Sequence, residues 1–274
     1  MARLVAFTSI SGIWPGIKGE ALLQAKPYLR EVILQRETIP DPLAYPFSIP
    51  ALRALERVEF HPDVTFIAGD NGTGKSTLIE AIAMKLGFSQ EGGTRNMQVQ
   101  TAHTVSGLSE HLKLIRSFAR PSDGYFFRAE SLYNVATYMD QDDRDKYHLR
   151  AYDNLSMHKR SHGELFFATL TKKFHGDGLY ILDEPEAALS PNRQLAALTA
   201  IHELVKDNSQ FIIATHSPIL LAYPRAKILL LDEEGIREVA YTETEHYEVT
   251  KNFLNKYESM LEILLEPQME IPFE

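Results

Sequence analysis

Residues 69–77 read Gly-Asp-Asn-Gly-Thr-Gly-Lys-Ser-Thr, and their types and spacing suit a loop that cradles phosphate groups. Glycines let a backbone turn back on itself, so that its N–H groups point inward at the phosphates. Lys75 supplies a positive charge for the β- and γ-phosphates, and the hydroxyl of Ser76 has the right length to bind Mg²⁺. We expect the whole loop to contact a nucleotide: Gly69, Asp70, Asn71, Gly72, Thr73, Gly74, Lys75, Ser76 and Thr77.

Two adjacent carboxylates, Asp183 and Glu184, follow the apolar run of residues 179–182. A buried strand that ends beside a phosphate-binding loop can present an aspartate to Mg²⁺ through water. We expect Asp183 to have that role, and we expect Glu184 to polarise a water molecule aimed at the γ-phosphate. The alternative is a strand that ends in an ordinary acidic turn. Separate roles for the two carboxylates predict hydrolysis of the nucleotide as well as binding.

Two further segments place polar groups at the ends of apolar elements. Residues 161–164, Ser-His-Gly-Glu, precede an apolar helix predicted at 165–170, where a hydroxyl and free N–H groups can meet a phosphate. The predicted contacts there are Ser161, Gly163 and Glu164, and the alternative is an ordinary helix cap. His216 follows a second apolar strand and is a candidate to sense the γ-phosphate, the alternative being a structural histidine.

The elements that position these groups follow from the apolar pattern of the chain. Buried strands are predicted at 64–68, 179–182 and 211–215, and a helix is predicted at 77–86, directly after the loop. Further strands are predicted at 29–34 and 226–231, with one or two helices at 244–265. Prolines mark a loop at 40–50, in which Tyr45 or Phe47 is placed either to stack on adenine or to anchor the loop.

The order of these motifs along the chain resembles that of the ABC-type ATPases, from about Glu59 to Asp232. The residues within these motifs most resemble those of the small stand-alone predicted ATPases of bacteria, often called AAA family ATPases. These proteins are related to RecF and SMC heads and to the ATPase part of OLD nucleases. The resemblance implies that residues 69–77 are the Walker A loop and that Ser161–Glu164 are the signature. It also implies that Asp183 and Glu184 are Walker B and the catalytic glutamate, that residues 188–191 are the D-loop, and that His216 is the switch histidine.

The chain departs from the resemblance at two places. Transporter-type members carry a glutamine loop midway between the Walker A loop and the signature. Gln98 and Gln100 lie too close to the Walker A loop, and the better-placed segment 123–131 holds no glutamine, so that Arg128 and Glu130 are both candidates to replace it. The signature has His162 and Glu164 where glycine and glutamine are usual.

The resemblance implies an α/β fold: a P-loop NTPase with an ABC-type head, a mainly parallel central sheet and a helical lid. The function expected is Mg²⁺-dependent hydrolysis of ATP by a head-to-tail homodimer, in which Lys75, Glu184 and His216 are catalytic and Ser76 and Asp183 hold the metal. Alternatives are a nucleotide-gated interaction module with negligible turnover and the ATPase subunit of a transporter. About eighty residues separate Lys75 from Ser161, which leaves no room for the long coiled coil of an SMC protein.

Length and composition agree with one ATPase domain at residues 28–274, preceded by a loose extension at 1–27. Within it we expect a helical lid at about 104–173 and an acidic segment at 232–274. That segment holds twelve acidic and three basic residues and accounts for the whole net charge of −9. Two modest basic runs, at 113–128 and 159–173, are interpreted as solvated helix faces and not as a nucleic-acid surface, so a protein or nucleic-acid partner is left open. The chain has no cysteine and no apolar run of membrane-spanning length, and ATP chemistry predicts a cytoplasmic location.

Overall fold

The computed structural model describes residues 26–95, 107–131 and 162–265. These residues form nine strands: β1 Leu29–Leu34, β2 Arg57–Glu59, β3 Val64–Gly69, β4 Leu112–Arg116, β5 Asp123–Arg128, β6 Gly178–Asp183, β7 Gln210–Ala214, β8 Lys227–Asp232 and β9 Gly235–Val239. The α-helices are α1 Pro50–Ala54, α2 Lys75–Lys85, α3 His162–Ala168, α4 Pro191–Lys206, α5 Pro218–Leu221 and α6 Glu245–Leu265. A π-helical turn, Thr169–Lys173, continues α3, and short 3₁₀ turns lie at Arg36–Thr38, Gly107–His111, Pro185–Ala188 and Tyr241–Glu243.

A six-stranded central sheet in the order β5-β6-β7-β3-β8-β9 organises the described residues. All its pairings are parallel except the last, in which β9 runs antiparallel to β8. Every residue of β3, β6 and β7 is buried, as expected of parallel strands that are covered on both faces. Because the strands are parallel, the carboxyl ends of β3, β6 and β7 lie at one edge of the sheet.

Apolar layers cover both faces of this sheet. On one face, Phe66 and Phe211 belong to a core that includes residues of α3 and α4. On the other face, Ile67 packs in a core with residues of α2 and of a small antiparallel sheet in the order β2-β1-β4. Helix α2 is therefore fixed between the two sheets, and the loop before it has a rigid support on both sides.

Most of the predicted elements are confirmed within a residue or two, including the strands at 29–34, 64–68, 179–182, 211–215 and 226–231 and the helices at 77–86 and 244–265. The expectation of mainly helical structure from about 104 is wrong for residues 107–131, which form a 3₁₀ turn and strands β4 and β5. Tyr125, Phe126 and Phe127 of β5 are buried, so packing against β6 takes this segment into the central sheet.

Parts of the predicted domain plan lie outside the described residues: 1–25, 96–106, 132–161 and 266–274. At the described end of the predicted loose extension, Lys26 donates to the carboxylate of Asp63 at 2.8 Å and to the carbonyl oxygen of Ser209 at 3.0 Å. Lys26 is thus attached to the body of the domain. None of the helices in the three described ranges has both the length and the apolar character needed to cross a membrane.

Candidate nucleotide-binding site

The loop at 69–77 connects β3 to α2, as the sequence predicts, and its glycines are structurally required. Gly74 has φ 96°, a left-handed conformation that side chains disfavour. A Cβ atom at Gly69 would lie 2.2 Å from the carbonyl oxygen of Leu231 in β8. The loop therefore rests directly on the backbone of the neighbouring strand. The N–H groups of the first turn of α2 have no partner within that helix, which makes its start a suitable place for an anion.

Lys75 is buried at the start of α2 and folds back over the loop. Its Nζ donates to the carbonyl oxygen of Asp70 at 2.7 Å. Burial lowers the pKa of Lys75, while the nearby carboxylates of Glu184 and Asp183 oppose that change. The ammonium group is therefore held among the acidic residues that the sequence assigns to the same site.

Ser76 and Asp183 are 107 residues apart in the chain, yet the Ser76 hydroxyl donates to Oδ1 of Asp183 at 3.1 Å. Burial raises the pKa of Asp183 to about 7, against the opposing effects of Arg128 and Ser76. A hydroxyl and one buried carboxylate beside a phosphate-binding loop fit Mg²⁺, which is usually held by one or two carboxylates together with substrate phosphates. No cluster of three or more histidine or acidic side chains that suggests an all-protein metal cage occurs among the described residues. The residues present thus fit a metal that arrives with a nucleotide.

Arg128 ends β5, next to the end of β6, and its side chain faces Asp183. Its Nη1 donates to Oε2 of Glu80 on α2 at 2.6 Å, and its Nε lies 3.7 Å from Oδ2 of Asp183. Glu130, the other candidate for the missing glutamine, is 80% exposed and lies 3.3 Å from Arg128. The side chain beside the predicted metal ligand is therefore that of Arg128, held there by a buried glutamate that the sequence reasoning did not single out.

Glu184 has left-handed backbone angles, φ 49° and ψ 52°. Such angles are uncommon for residues other than glycine and cost about 1–3 kcal/mol, and functional sites are among the places where they cluster. Its N–H donates to the carbonyl oxygen of Ala214 at 3.0 Å. Its carboxylate Oε1 lies 3.6 Å from Nε2 of His216. The turn thus directs Glu184 away from Asp183 and toward the predicted switch histidine, as separate roles for the two carboxylates require.

His216 is held by two residues that the sequence reasoning missed. Its backbone N–H donates to Oε1 of Glu186 at 2.6 Å, and its ring Nδ1 lies 3.1 Å from Nε2 of His246. Burial raises the pKa of Glu186, while the hydrogen bond from His216 opposes that change. In the sequence, Glu184 and Glu186 lie on either side of Pro185, and this acidic pair is the signal that could have indicated Glu186. Nothing in the sequence indicated His246, which lies 30 residues beyond its partner.

The predicted signature is described only in part. Ser161 lies outside the described residues, as do Gln98 and Gln100. A Cβ atom on Gly163 would lie 2.3 Å from the carbonyl oxygen of Ala188, and Glu164 lies 3.7 Å from Arg193. The described contacts of Gly163 and Glu164 therefore connect α3 to the turn after β6 and to α4.

The two aromatic candidates for adenine occupy different environments. Phe47 is buried and packs edge-on against His111, with ring centroids 5.3 Å apart. Tyr45 is 67% exposed, and its hydroxyl lies 3.3 Å from Oγ1 of Thr77 at the end of the phosphate loop. Tyr45 is therefore the aromatic side chain free to meet a base, and Phe47 anchors the loop.

The family model described as an AAA domain matches residues 48–265, which include every element around the loop. The chain belongs to this AAA domain family. Membership supports nucleotide binding and ATPase activity in general terms. Among curated proteins, none matches the sequence.

Solved structures with a similar arrangement of elements have low sequence identity to this AAA domain. The SMC head domain from Thermotoga maritima is 16% identical, with 77% of this chain and 98% of that chain covered and a TM-score of 0.40. The protein cbiO1 from Clostridium perfringens, described as part of the ABC transporter complex cbiONQ, is 18% identical, with 76% of this chain and 92% of that chain covered and a TM-score of 0.42.

Proposed function

We propose that this AAA domain binds ATP with Mg²⁺ at residues 69–77 and hydrolyses it. The observation that carries the proposal is the convergence of Ser76, Asp183, Glu184 and His216 beside the phosphate loop. Binding alone requires the loop, Lys75 and Ser76. A glutamate held in a strained turn beside a histidine is an arrangement suited to moving a proton.

Each side chain has a separate part in the proposed reaction. Ser76 and, through water, Asp183 would hold Mg²⁺, which neutralises charge on the phosphates when it is bound. Lys75 leaves the carbonyl oxygen of Asp70 and stabilises the transferring phosphoryl group. Glu184 orients the attacking water and accepts its proton, and His216 contacts the γ-phosphate. Tyr45 stacks on the adenine.

Phosphate release tests the hydrolysis step. Lys75→Ala should abolish ATP binding measured by calorimetry, because the phosphates lose their charge-assisted contact. Glu184→Gln should bind ATP normally but release phosphate about 10²–10⁴-fold more slowly, because an amide cannot accept the proton of water. Lys206→Ala, which removes an exposed lysine of α4, is the matched control and should behave as wild type. Turnover by Glu184→Gln close to the wild-type rate would contradict the assignment.

We further propose that ATP closes a head-to-tail homodimer. The chain has one phosphate loop and one predicted signature, so two copies related by a twofold axis would make two complete sites. The γ-phosphate then lies between Lys75 of one copy and Ser161 of the other. Gly163 and Glu164 are part of the same predicted contact. Hydrolysis removes the shared group and opens the dimer.

Light scattering tests the dimer independently of turnover. The Glu184→Gln protein should dimerise with Mg-ATP and stay monomeric with ADP. Adding Ser161→Arg should leave ATP bound but prevent dimer formation, because the larger side chain fills the shared site. A Glu184→Gln protein that binds ATP and remains monomeric would contradict the proposal. We expect the protein in the cytoplasm, where the closed dimer acts on a protein or nucleic-acid partner.

A further inference from the structure

His246 lies in the first turn of α6, which is anchored close to the candidate site. The hydroxyl of buried Thr244 donates to the carbonyl oxygen of Tyr241 at 2.8 Å, directly before the helix. The rings of Tyr241 and Tyr247 pack with centroids 4.7 Å apart, and the Tyr241 hydroxyl donates to the carbonyl oxygen of Pro218 at 2.8 Å. These contacts fix the start of α6 and so fix the ring of His246 against that of His216.

Three side chains form a row that leads from α6 into the candidate site. His246 Nε2 lies 3.1 Å from His216 Nδ1, and His216 Nε2 lies 3.6 Å from Glu184 Oε1. A neutral imidazole has one N–H group and one lone pair, and two ring nitrogens 3.1 Å apart form a hydrogen bond only when one of them carries a hydrogen. If His216 Nδ1 carried it, His216 Nε2 would present a lone pair to the carboxylate of Glu184. If His246 Nε2 carries it, His216 presents an N–H group to that carboxylate, which is the favourable arrangement.

The outer nitrogens of the two rings are equally placed and leave the choice to Glu184. His246 Nδ1 and His216 Nε2 are both buried, and neither has a hydrogen-bond partner within the part of the chain that the structure describes. Either arrangement therefore leaves one buried N–H group without a hydrogen bond. The carboxylate of Glu184, 3.6 Å from His216 Nε2, favours the hydrogen of His216 on that nitrogen, and so the hydrogen of His246 is on Nε2, facing His216.

The surroundings of both rings favour the neutral form that this pairing needs. Burial lowers the pKa of His216 and of His246, and the nearby Lys75 ammonium lowers both further. Glu184 opposes the change at His216, and Asp70 opposes it at His246.

We propose that His246 is a positioning residue: its Nε2–H group donates to Nδ1 of His216 and so holds His216 with its own N–H group directed into the site. This inference rests on the proposed function, because the N–H group of His216 is the one that meets the γ-phosphate. Without His246, the His216 ring can carry its hydrogen on Nδ1 and present a lone pair to the phosphate. Partners that orient metal-binding histidines typically contribute about 10–100-fold to activity, and we expect an effect of that order for His246.

Three variants separate the donor from the bulk of the ring. His246→Phe keeps a ring and removes the donor, whereas His246→Gln retains an amide N–H close to the position of Nε2. His202→Phe is the matched control, because His202 is a partly buried histidine of α4 whose Nδ1 lies 3.0 Å from the hydroxyl of Tyr223. We expect His246→Phe to hydrolyse ATP about 10–100-fold more slowly at saturating nucleotide, with His246→Gln restoring most of the rate. His202→Phe should hydrolyse ATP at the wild-type rate.

Nitrogen NMR of the imidazole rings reads the tautomer directly and needs no turnover. Wild-type His216 should carry its hydrogen on Nε2, and His246→Phe should shift it toward Nδ1. A wild-type His216 with its hydrogen on Nδ1 would overturn the inference, as would a tautomer or a hydrolysis rate unchanged in His246→Phe. If wild-type protein released no phosphate, the proposed function would fail while the spectrum still decided the tautomer. If His246→Phe did not fold, the wild-type spectrum and the hydrolysis rate of His246→Gln would decide instead. A His246→Gln protein that hydrolyses ATP as slowly as a folded His246→Leu protein would count against the inference.

Discussion

The ion pair between Glu80 and Arg128 should contribute strongly to stability, because both side chains are almost out of water. Their atoms approach to 2.6 Å, and the side chains are 9% and 16% exposed. Removing one partner from a buried pair typically costs about 3–5 kcal/mol, because the other charge stays buried and unpaired. Arg128 keeps partial compensation from Glu130 at 3.3 Å and Asp183 at 3.7 Å. We therefore expect Glu80→Gln to lower the free energy of unfolding by about 2–3 kcal/mol, below the usual range.

Urea unfolding of a small set of variants measures this directly. Glu203→Gln is the control, because Glu203 and Lys206 form a pair of similar length, 2.9 Å, with side chains 64% and 59% exposed. Exposed pairs contribute little to stability, because water and salt screen them. Combining Glu80→Gln with Arg128→Met should cost less than the sum of the two single changes, because neither member of the pair is then left charged and without the other. Costs that simply add, or a cost for Glu80→Gln no larger than that of the control, would refute the reasoning.

Three other results are expected. Tyr45→Ala should weaken ATP binding measured by calorimetry by about 1–3 kcal/mol, because base stacking is lost, and should leave the free energy of unfolding unchanged. Phe47→Ala should instead lower the free energy of unfolding by about 3–5 kcal/mol. The reverse pattern would exchange the roles of the two residues. Gly69→Ala should abolish nucleotide binding, because the added methyl group meets the carbonyl oxygen of Leu231 at 2.2 Å; normal affinity would contradict this. The pKa of His246 is lowered in the fold, so at pH values below about 6.5 the unfolded chain binds more protons at this residue than the folded chain does. In urea unfolding, the stability of wild type relative to His246→Phe should therefore decrease as the pH falls below about 6.5. A relative stability that increases over this range would contradict the prediction.

The candidate loop could be predicted from sequence because its chemistry is local. The glycines of 69–77, the strand before them and the helix after them are neighbours in the chain, and the structure confirms that strand-loop-helix order. The apolar runs of β6 and β7 could likewise be recognised as buried strands from their composition. The confirmed strands then bring Asp183 beside Ser76 because parallel strands end at the same edge of a sheet.

What could not be predicted depends on contacts between distant residues. Glu80 is one polar side chain on a helix whose other buried residues are mostly apolar, and only the folded sheet shows that Arg128 meets it. His246 has no pattern around it. The central Tyr-Phe-Phe run of β5 has no alternation that would distinguish a strand, and burial against β6 decides its conformation. In each case the partner that gives the residue its role is fixed by tertiary packing.

The groups gathered at this edge of the sheet come from chain positions as far apart as Tyr45 and His246. A nucleotide that contacts them is therefore bound only by the folded chain, and its binding free energy adds to that of folding. A ligand present at one hundred times its dissociation constant adds about 2.7 kcal/mol in this way. That amount is a large share of the margin by which domains stay folded, typically about 5–15 kcal/mol. Nucleotide bound at the proposed site would therefore lower the fraction of unfolded, protease-sensitive protein.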